Sequence, residues 1–168
     1  MLLLLSGLPG SGKTTLAKAY AARYSVAHLN SDVLRREMGL MGHYRPEDKE
    51  IVYRTLLERT RQLLEEGKDV VVDSTFYKTS IREPFQQVGA ACKAKLFWVE
   101  LRANEENIRQ RLKTLRPDSE ADFEVYQKIR DAYEPIGEPH LVLQTDEMTP
   151  DELVAAIYTY VSGEKTTT

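Results

Sequence analysis

Apolar residues fall into five short runs, each followed by a longer stretch in which they recur every three or four positions. The first run, residues 2–6, is four leucines and a serine without alternation, as a strand buried on both faces reads. Residues 26–29, 70–73, 95–101 and 140–144 read as the second to fifth strands. Between them lie helical stripes. Leu16, Ala17, Tyr20, Ala21 and Tyr24 mark an amphipathic helix that ends near residue 24. Val52, Leu56, Leu57, Leu63 and Leu64 mark a long helix over residues 46–66, closed by Gly67 just past its end. Shorter helices are expected over 31–39, from the Ser80/Glu83 capping pattern to 91, behind Asn104 to 115, and over 120–133 behind Ser119/Asp122. Thr149-Pro150-Asp151-Glu152 opens the last one as cap, first-turn proline and capping-box glutamate. The glycine-punctuated residues 39–46 form a loop, where His43, Tyr44 and Arg45 are as well placed to touch a substrate as to be plain surface. Strand and helix in alternation predict a parallel sheet with helices on both faces.

At 168 residues the chain is expected to be one domain over 1–163 with a frayed tail at 164–168. The single cysteine, Cys92, excludes an intrachain disulfide and fits a reducing, cytoplasmic setting; it reads as a small packed residue. The leading leucines are too few for a secretory leader and lack a basic start, so they are assigned to the first strand. No apolar run approaches the length that spans a bilayer. The net charge of −3 offers no general attraction to nucleic acid, so a polynucleotide partner would need a local basic groove.

The chemistry is concentrated where the first strand meets the first helix. Gly7-Leu8-Pro9-Gly10-Ser11-Gly12-Lys13-Thr14 spells G-x-x-x-x-G-K-[ST], with Thr15 directly after it. Glycines let the backbone curl until successive N–H groups face a phosphate, and the helix start adds its positive dipole end. Lys13 is then placed for the β- and γ-phosphates and Thr14 for Mg²⁺. The chain is expected to bind a nucleoside triphosphate with Mg²⁺. Asp73 follows three valines at the end of the third strand, as a Mg²⁺-holding carboxylate does, although it could merely cap the next turn. Asp32 stands just past the second strand. It could take the proton of an attacking hydroxyl, or be a helix N-cap or first-turn Asp. Arg109, Arg111, Lys113 and Arg116 crowd one helix end beside Pro117-Asp118-Ser119, either as a lid over the phosphates or as a solvated terminus. Ligands of open parallel sheets bind beyond the carboxyl ends of the strands, so the loop, Asp32 and Asp73 should meet at one edge.

Residues 7–15 together with Leu29-Asn30-Ser31-Asp32-Val33-Leu34-Arg35 resemble the kinase domain of polynucleotide 5′-hydroxyl kinases and the small P-loop kinases around it. The resemblance continues through Val72-Asp73-Ser74-Thr75 and the arginines from 111 to 116. It implies a nucleoside-monophosphate-kinase-like P-loop fold, a five-stranded parallel sheet with a short arginine-rich lid. It also implies transfer of the γ-phosphate of ATP to an acceptor hydroxyl, foremost the 5′-hydroxyl of a nucleic acid or nucleotide. Asp32 would be the base, Arg35 and Thr75 acceptor contacts, and Arg111 and Arg116 the groups that close over the triphosphate. Where phage members carry a basic residue before the catalytic Asp, this chain has Ser31. Asp73-Ser74-Thr75-Phe76-Tyr77 with Arg82 is also similar to the aminoacyl-tRNA kinase acting on seryl-tRNA.

Two other classes stay open. A small-molecule kinase of the shikimate, gluconate or antibiotic-modifying type would use the same architecture. A non-catalytic nucleotide-binding regulator would use only the loop. The guanine-specific Asn-Lys-x-Asp pattern is absent, which argues against a GTPase switch. No motif encodes the base pocket; Arg109 and Thr145-Asp146 are its expected neighbourhood.

Overall fold

The computed structural model describes residues 1–43, 45–113 and 122–163. The chain runs β1 (Leu2–Gly7), α1 (Lys13–Tyr24), β2 (Ala27–Asn30), α2 (Ser31–Glu37), α3 (Pro46–Glu65) and β3 (Val70–Asp73). It continues through α4 (Thr79–Ala91), β4 (Leu96–Arg102), α5 (Glu105–Lys113), α6 (Phe123–Asp131), β5 (His140–Gln144) and α7 (Pro150–Ser162). The five strands are all parallel, in the order β2-β3-β1-β4-β5.

β1 is central, which explains its unbroken leucines. Successive side chains of a strand point to opposite faces. Leu2 and Leu4 join Val70, Val72 and Trp98 beneath α3 and α4, where Leu56 and Phe85 close the layer. Leu3 and Leu5 join Val71, Val99 and Leu101 on the other face, beneath α1 and α7, with Leu16, Tyr20 and Ile157. Cys92 packs against the first of these layers, as a small apolar residue should.

Register then carries chemistry to one edge. Leu5 pairs with Asp73, and Asn30 pairs with Asp73 from the other side. The phosphate loop, the start of α2 and the end of β3 are therefore neighbours, as the sheet rule requires.

Most element boundaries agree with the sequence to within a residue or two, and the capping box of α7 forms as spelled, Thr149 accepting from the Glu152 N–H. The start of α4 does not. Its N-cap is Lys78 without a side-chain cap, and the Ser80/Glu83 box does not open it. Glu134, remote in sequence, accepts the Thr79 N–H at 2.7 Å in its place. α6 begins later than residue 120: Asp122 caps it by accepting the Val125 N–H. Residue 116 of the expected lid and the tail at 164–168 lie outside the described residues. Among the described residues, no helix is long and apolar enough to cross a membrane.

Candidate active site

Three glycines of the loop adopt positive φ; one has no room for a side chain and a second has little. A Cβ on Gly7 would meet the Leu101 carbonyl oxygen at 2.5 Å, and one on Gly10 would meet Ile108 at 3.0 Å. Gly12, at φ 94°, is the N-cap of α1 and offers no side chain to its first N–H groups. Those donors are left for an anion, which is what a phosphate site at a helix start needs. Lys13 is nearly buried, and its Nζ donates to the Leu8 carbonyl at 3.0 Å, so the ammonium arches back over the loop.

Asp73 is 1 % exposed and is held by three donors. The Thr14 hydroxyl donates to Oδ1 at 3.0 Å, Asn30 Nδ2 donates to Oδ1 at 2.6 Å, and His28 Nε2 donates to Oδ2 at 2.5 Å. His28, expected only to pack or hydrogen-bond, does the latter. Asn30 also caps α2, its Oδ1 accepting the Val33 N–H at 2.7 Å. Asp32 is therefore not the cap of α2; it stands in that helix's first turn, where a carboxylate complements the dipole.

Asp32 lines a cavity of about 350 Å³ that also receives Lys13, Thr14, Thr15, Asp73, Thr75 and Arg35. Residues expected to serve the triphosphate, the metal and the acceptor thus share one enclosure. Arg35 is buried, and its Nη1 donates to the His43 carbonyl at 2.5 Å, tying the loop after α2 to the helix. His43 and Arg45 themselves are exposed, Arg45 pairing with Asp48 at 3.0 Å, and neither lines the cavity. Tyr44 lies outside the described residues.

Among the described residues, no group of three or more His, Cys, Asp or Glu could enclose a metal. Mg²⁺ does not ask for one: it keeps waters and phosphate oxygens and takes only one or two protein ligands. The Thr14 hydroxyl and the Asp73 carboxylate, already in contact at the cavity, have the donor chemistry for that share.

Arg111 departs from its expected lid position. Its Nη1 donates to the Gly10 carbonyl at 3.1 Å and to Thr145 Oγ1 at 3.1 Å, and Nη2 donates to the Thr145 carbonyl at 3.3 Å. It braces the loop against the end of β5 and is not among the cavity's lining residues. Arg116 lies outside the described residues. Arg109 stacks over the Phe123 ring at 3.8 Å, joining α5 to α6, while Asp146 accepts the Asn104 N–H at 2.7 Å and Asn107 Nδ2 at 3.0 Å. Those hydrogen bonds hold the Asp146 carboxyl below the usual carboxylate range. Arg82, part of the likeness to the seryl-tRNA kinase, is 2 % exposed and clamps the Glu134 and Pro135 carbonyls at 2.8 and 3.1 Å. It is a structural strut.

Sequence reasoning missed the far wall. α3 supplies Lys49 and Tyr53, the β3–α4 turn supplies Tyr77, and α6 supplies Val125, Lys128 and Ile129. The Tyr53 hydroxyl lies 2.9 Å from Ser74 Oγ, and its enclosure pushes it above the usual phenol range. A signal for α3 was present: Lys49 and Tyr53 are four apart and share a helix face. For α6 no local signal exists, because its place beside the loop depends on contacts with remote residues, among them Arg109 on Phe123 and Arg130 with Glu105.

A family model described as AAA domain matches residues 2–136. No curated protein matches the chain in sequence. Solved structures do match in fold. The Mycobacterium tuberculosis APS kinase CysC, in complex with AMPPNP and APS, is 20 % identical with a TM-score of 0.74, over 96 % of each chain. A gluconokinase from Sinorhizobium meliloti 1021 is 18 % identical with a TM-score of 0.69, over 97 % of this chain and 96 % of that one. Chaetomium thermophilum Kti12, in complex with ADP-AlF3, is 18 % identical with a TM-score of 0.69, over 94 % of this chain and 97 % of that one. The architecture is a P-loop, kinase-like one.

Proposed function

The chain belongs to this AAA domain family, and from that premise we propose that it is an ATP-dependent phosphotransferase acting on the hydroxyl of a small acceptor. The observation that carries the reading is the shared cavity. Asp32 lines it together with a loop built for a triphosphate, and Asn30, not Asp32, caps α2. A pure nucleotide switch has no use for a second carboxylate there.

In this reading the loop N–H groups and Lys13 hold the β- and γ-phosphates of ATP. Thr14 and Asp73 would hold Mg²⁺, which when bound neutralises charge on those phosphate oxygens. Asp32 accepts the proton of the acceptor hydroxyl as its oxygen forms the new bond to phosphorus and the bond to the ADP oxygen breaks. Arg35 and Thr75 orient the acceptor. Arg111 keeps the loop in shape by bracing the Gly10 carbonyl, a positioning role in place of the lid role. Most of the acceleration comes from alignment and charge neutralisation.

The structural neighbours support a small acceptor: an APS kinase with APS itself bound, and a gluconokinase. The second reading, a nucleic-acid 5′-hydroxyl, rests on the residues from Leu29 to Arg35. Labelled ATP offered to sugars, nucleosides and 5′-hydroxyl oligonucleotides separates the two. Asp32→Ala should leave ATP affinity within about twofold and lower turnover roughly 10²–10⁴-fold, the size of a general-base contribution. Normal turnover in Asp32→Ala removes the base assignment, and no transfer to any hydroxyl leaves a nucleotide-binding protein only.

A further inference from the structure

Not every cation of the cavity belongs to the phosphate loop. Four cationic side chains line it, Lys13, Arg35, Lys49 and Lys128, against the two carboxylates of Asp32 and Asp73. Lys13 belongs to the loop. Lys128 pairs with Glu124 at 2.8 Å along α6. Arg35 stands three residues after Asp32 on α2 and so shares its helix face. Lys49 comes from α3, across from α2, and is half-buried. Among the described residues no carboxylate lies within ion-pair distance of it, and Asp48, its neighbour in the chain, pairs with Arg45. A half-buried ammonium without a counter-charge loses hydration for no return until an anion enters beside it.

The rest of the wall sets the size and texture of what fits. Tyr53 and Tyr77 offer ring faces and hydroxyls, and Val125 and Ile129 of α6 offer an apolar rim. About 350 Å³ must take terminal phosphates and acceptor together, which is at the lower end for pockets that enclose small ligands.

We propose that the acceptor is a small hydroxylated anion, a phosphate, sulfate or carboxylate ester or acid, whose negative group is held by Lys49 beside Arg35 while its hydroxyl faces Asp32. This rests on the phosphotransferase reading for the word acceptor, but the anion site stands on its own residues. It makes Lys49 a specificity determinant: neutral sugars and nucleosides leave its charge unanswered.

The test uses the full chain saturated with AMPPNP and Mg²⁺, so that the phosphate loop is filled. Sodium sulfate is titrated in by calorimetry. One sulfate per chain should bind, weaken about 10–100-fold in Lys49→Met, as the loss of a charged hydrogen bond does, and recover in Lys49→Arg. No sulfate binding to the loaded wild-type protein, or equal affinity in Lys49→Met, overturns the proposal. In parallel, labelled ATP is offered with matched pairs of acceptors, such as glycerol beside glycerol phosphate, and with a 5′-hydroxyl oligonucleotide. Label should enter the anionic member of a pair, with its KM raised in Lys49→Met and the KM for ATP unchanged. Equal kcat/KM for the neutral member, or preference for the oligonucleotide, also overturns it. Sulfate binding as expected with no label on any acceptor overturns the phosphotransfer reading instead and leaves the anion site in place.

Discussion

Asn30 joins the start of α2 to the carboxylate at the centre of the site, so its replacement has two separable effects. Its Oδ1 caps the helix through the Val33 N–H at 2.7 Å, and its Nδ2 donates to Asp73 Oδ1 at 2.6 Å. Loss of an N-cap costs about 0.5–2 kcal/mol. Loss of a hydrogen bond to a charged group, here one that is 1 % exposed, costs about 1.5–3 kcal/mol. Asn30→Ala forfeits both and should be destabilised by about 2–5 kcal/mol. Asn30→Ser keeps a capping oxygen but loses the amide donor, and should fall by about 1.5–3 kcal/mol. Urea unfolding followed by circular dichroism measures both, and the midpoints compare directly while the slopes agree. A serine variant with the wild-type midpoint would refute the argument, since the bond to Asp73 would then stabilise nothing. Asp73 also loses one of its three tethers in both variants, so half-saturation by Mg²⁺ in nucleotide binding should require more metal than in the wild type.

Other expectations follow from single contacts. Gly10→Ala forces a side chain into φ +81° and to 3.0 Å from Ile108; it should weaken nucleotide binding about 5–30-fold in a fluorescent-nucleotide titration, as left-handed strain of about 1–2 kcal/mol distorts the loop. Arg82→Met removes the guanidinium from the Glu134 and Pro135 carbonyls and should lower stability by about 1.5–3 kcal/mol while leaving nucleotide affinity within about twofold. Burial pushes the Tyr20 hydroxyl up to about 12, from about 10 in the unfolded chain, so the folded state keeps its proton longer. That contribution is whole below pH about 10 and is lost as pH rises toward 12; Tyr20→Phe should match the wild type at pH 8 and be the more stable of the two at pH 11.5, as read from urea midpoints.

How much of the molecule is legible in the chain alone depends on how local the information is. A strand buried on both faces announces itself in four leucines, and a phosphate loop in eight consecutive residues, because the glycine conformations and the Lys-Thr pair that define the turn are spelled within that window. The backbone glycines at 7, 10 and 12 and the capping box of α7 belong to this class. The start of α4 does not, because Glu134 supplies its terminal hydrogen bond from another part of the chain.

The sequence by itself determined the strands, most of the helices, the phosphate loop and the two carboxylates, one just past β2 and one at the end of β3. Only the tertiary structure decided that Arg111 braces the loop, that Arg82 is a strut, and that Lys49, Tyr53 and α6 share a cavity with Asp32. The physical reason is that strand order and helix packing bring together residues far apart in the chain. Periodicity shows which face of a helix is apolar, but not which remote group its polar residues will meet.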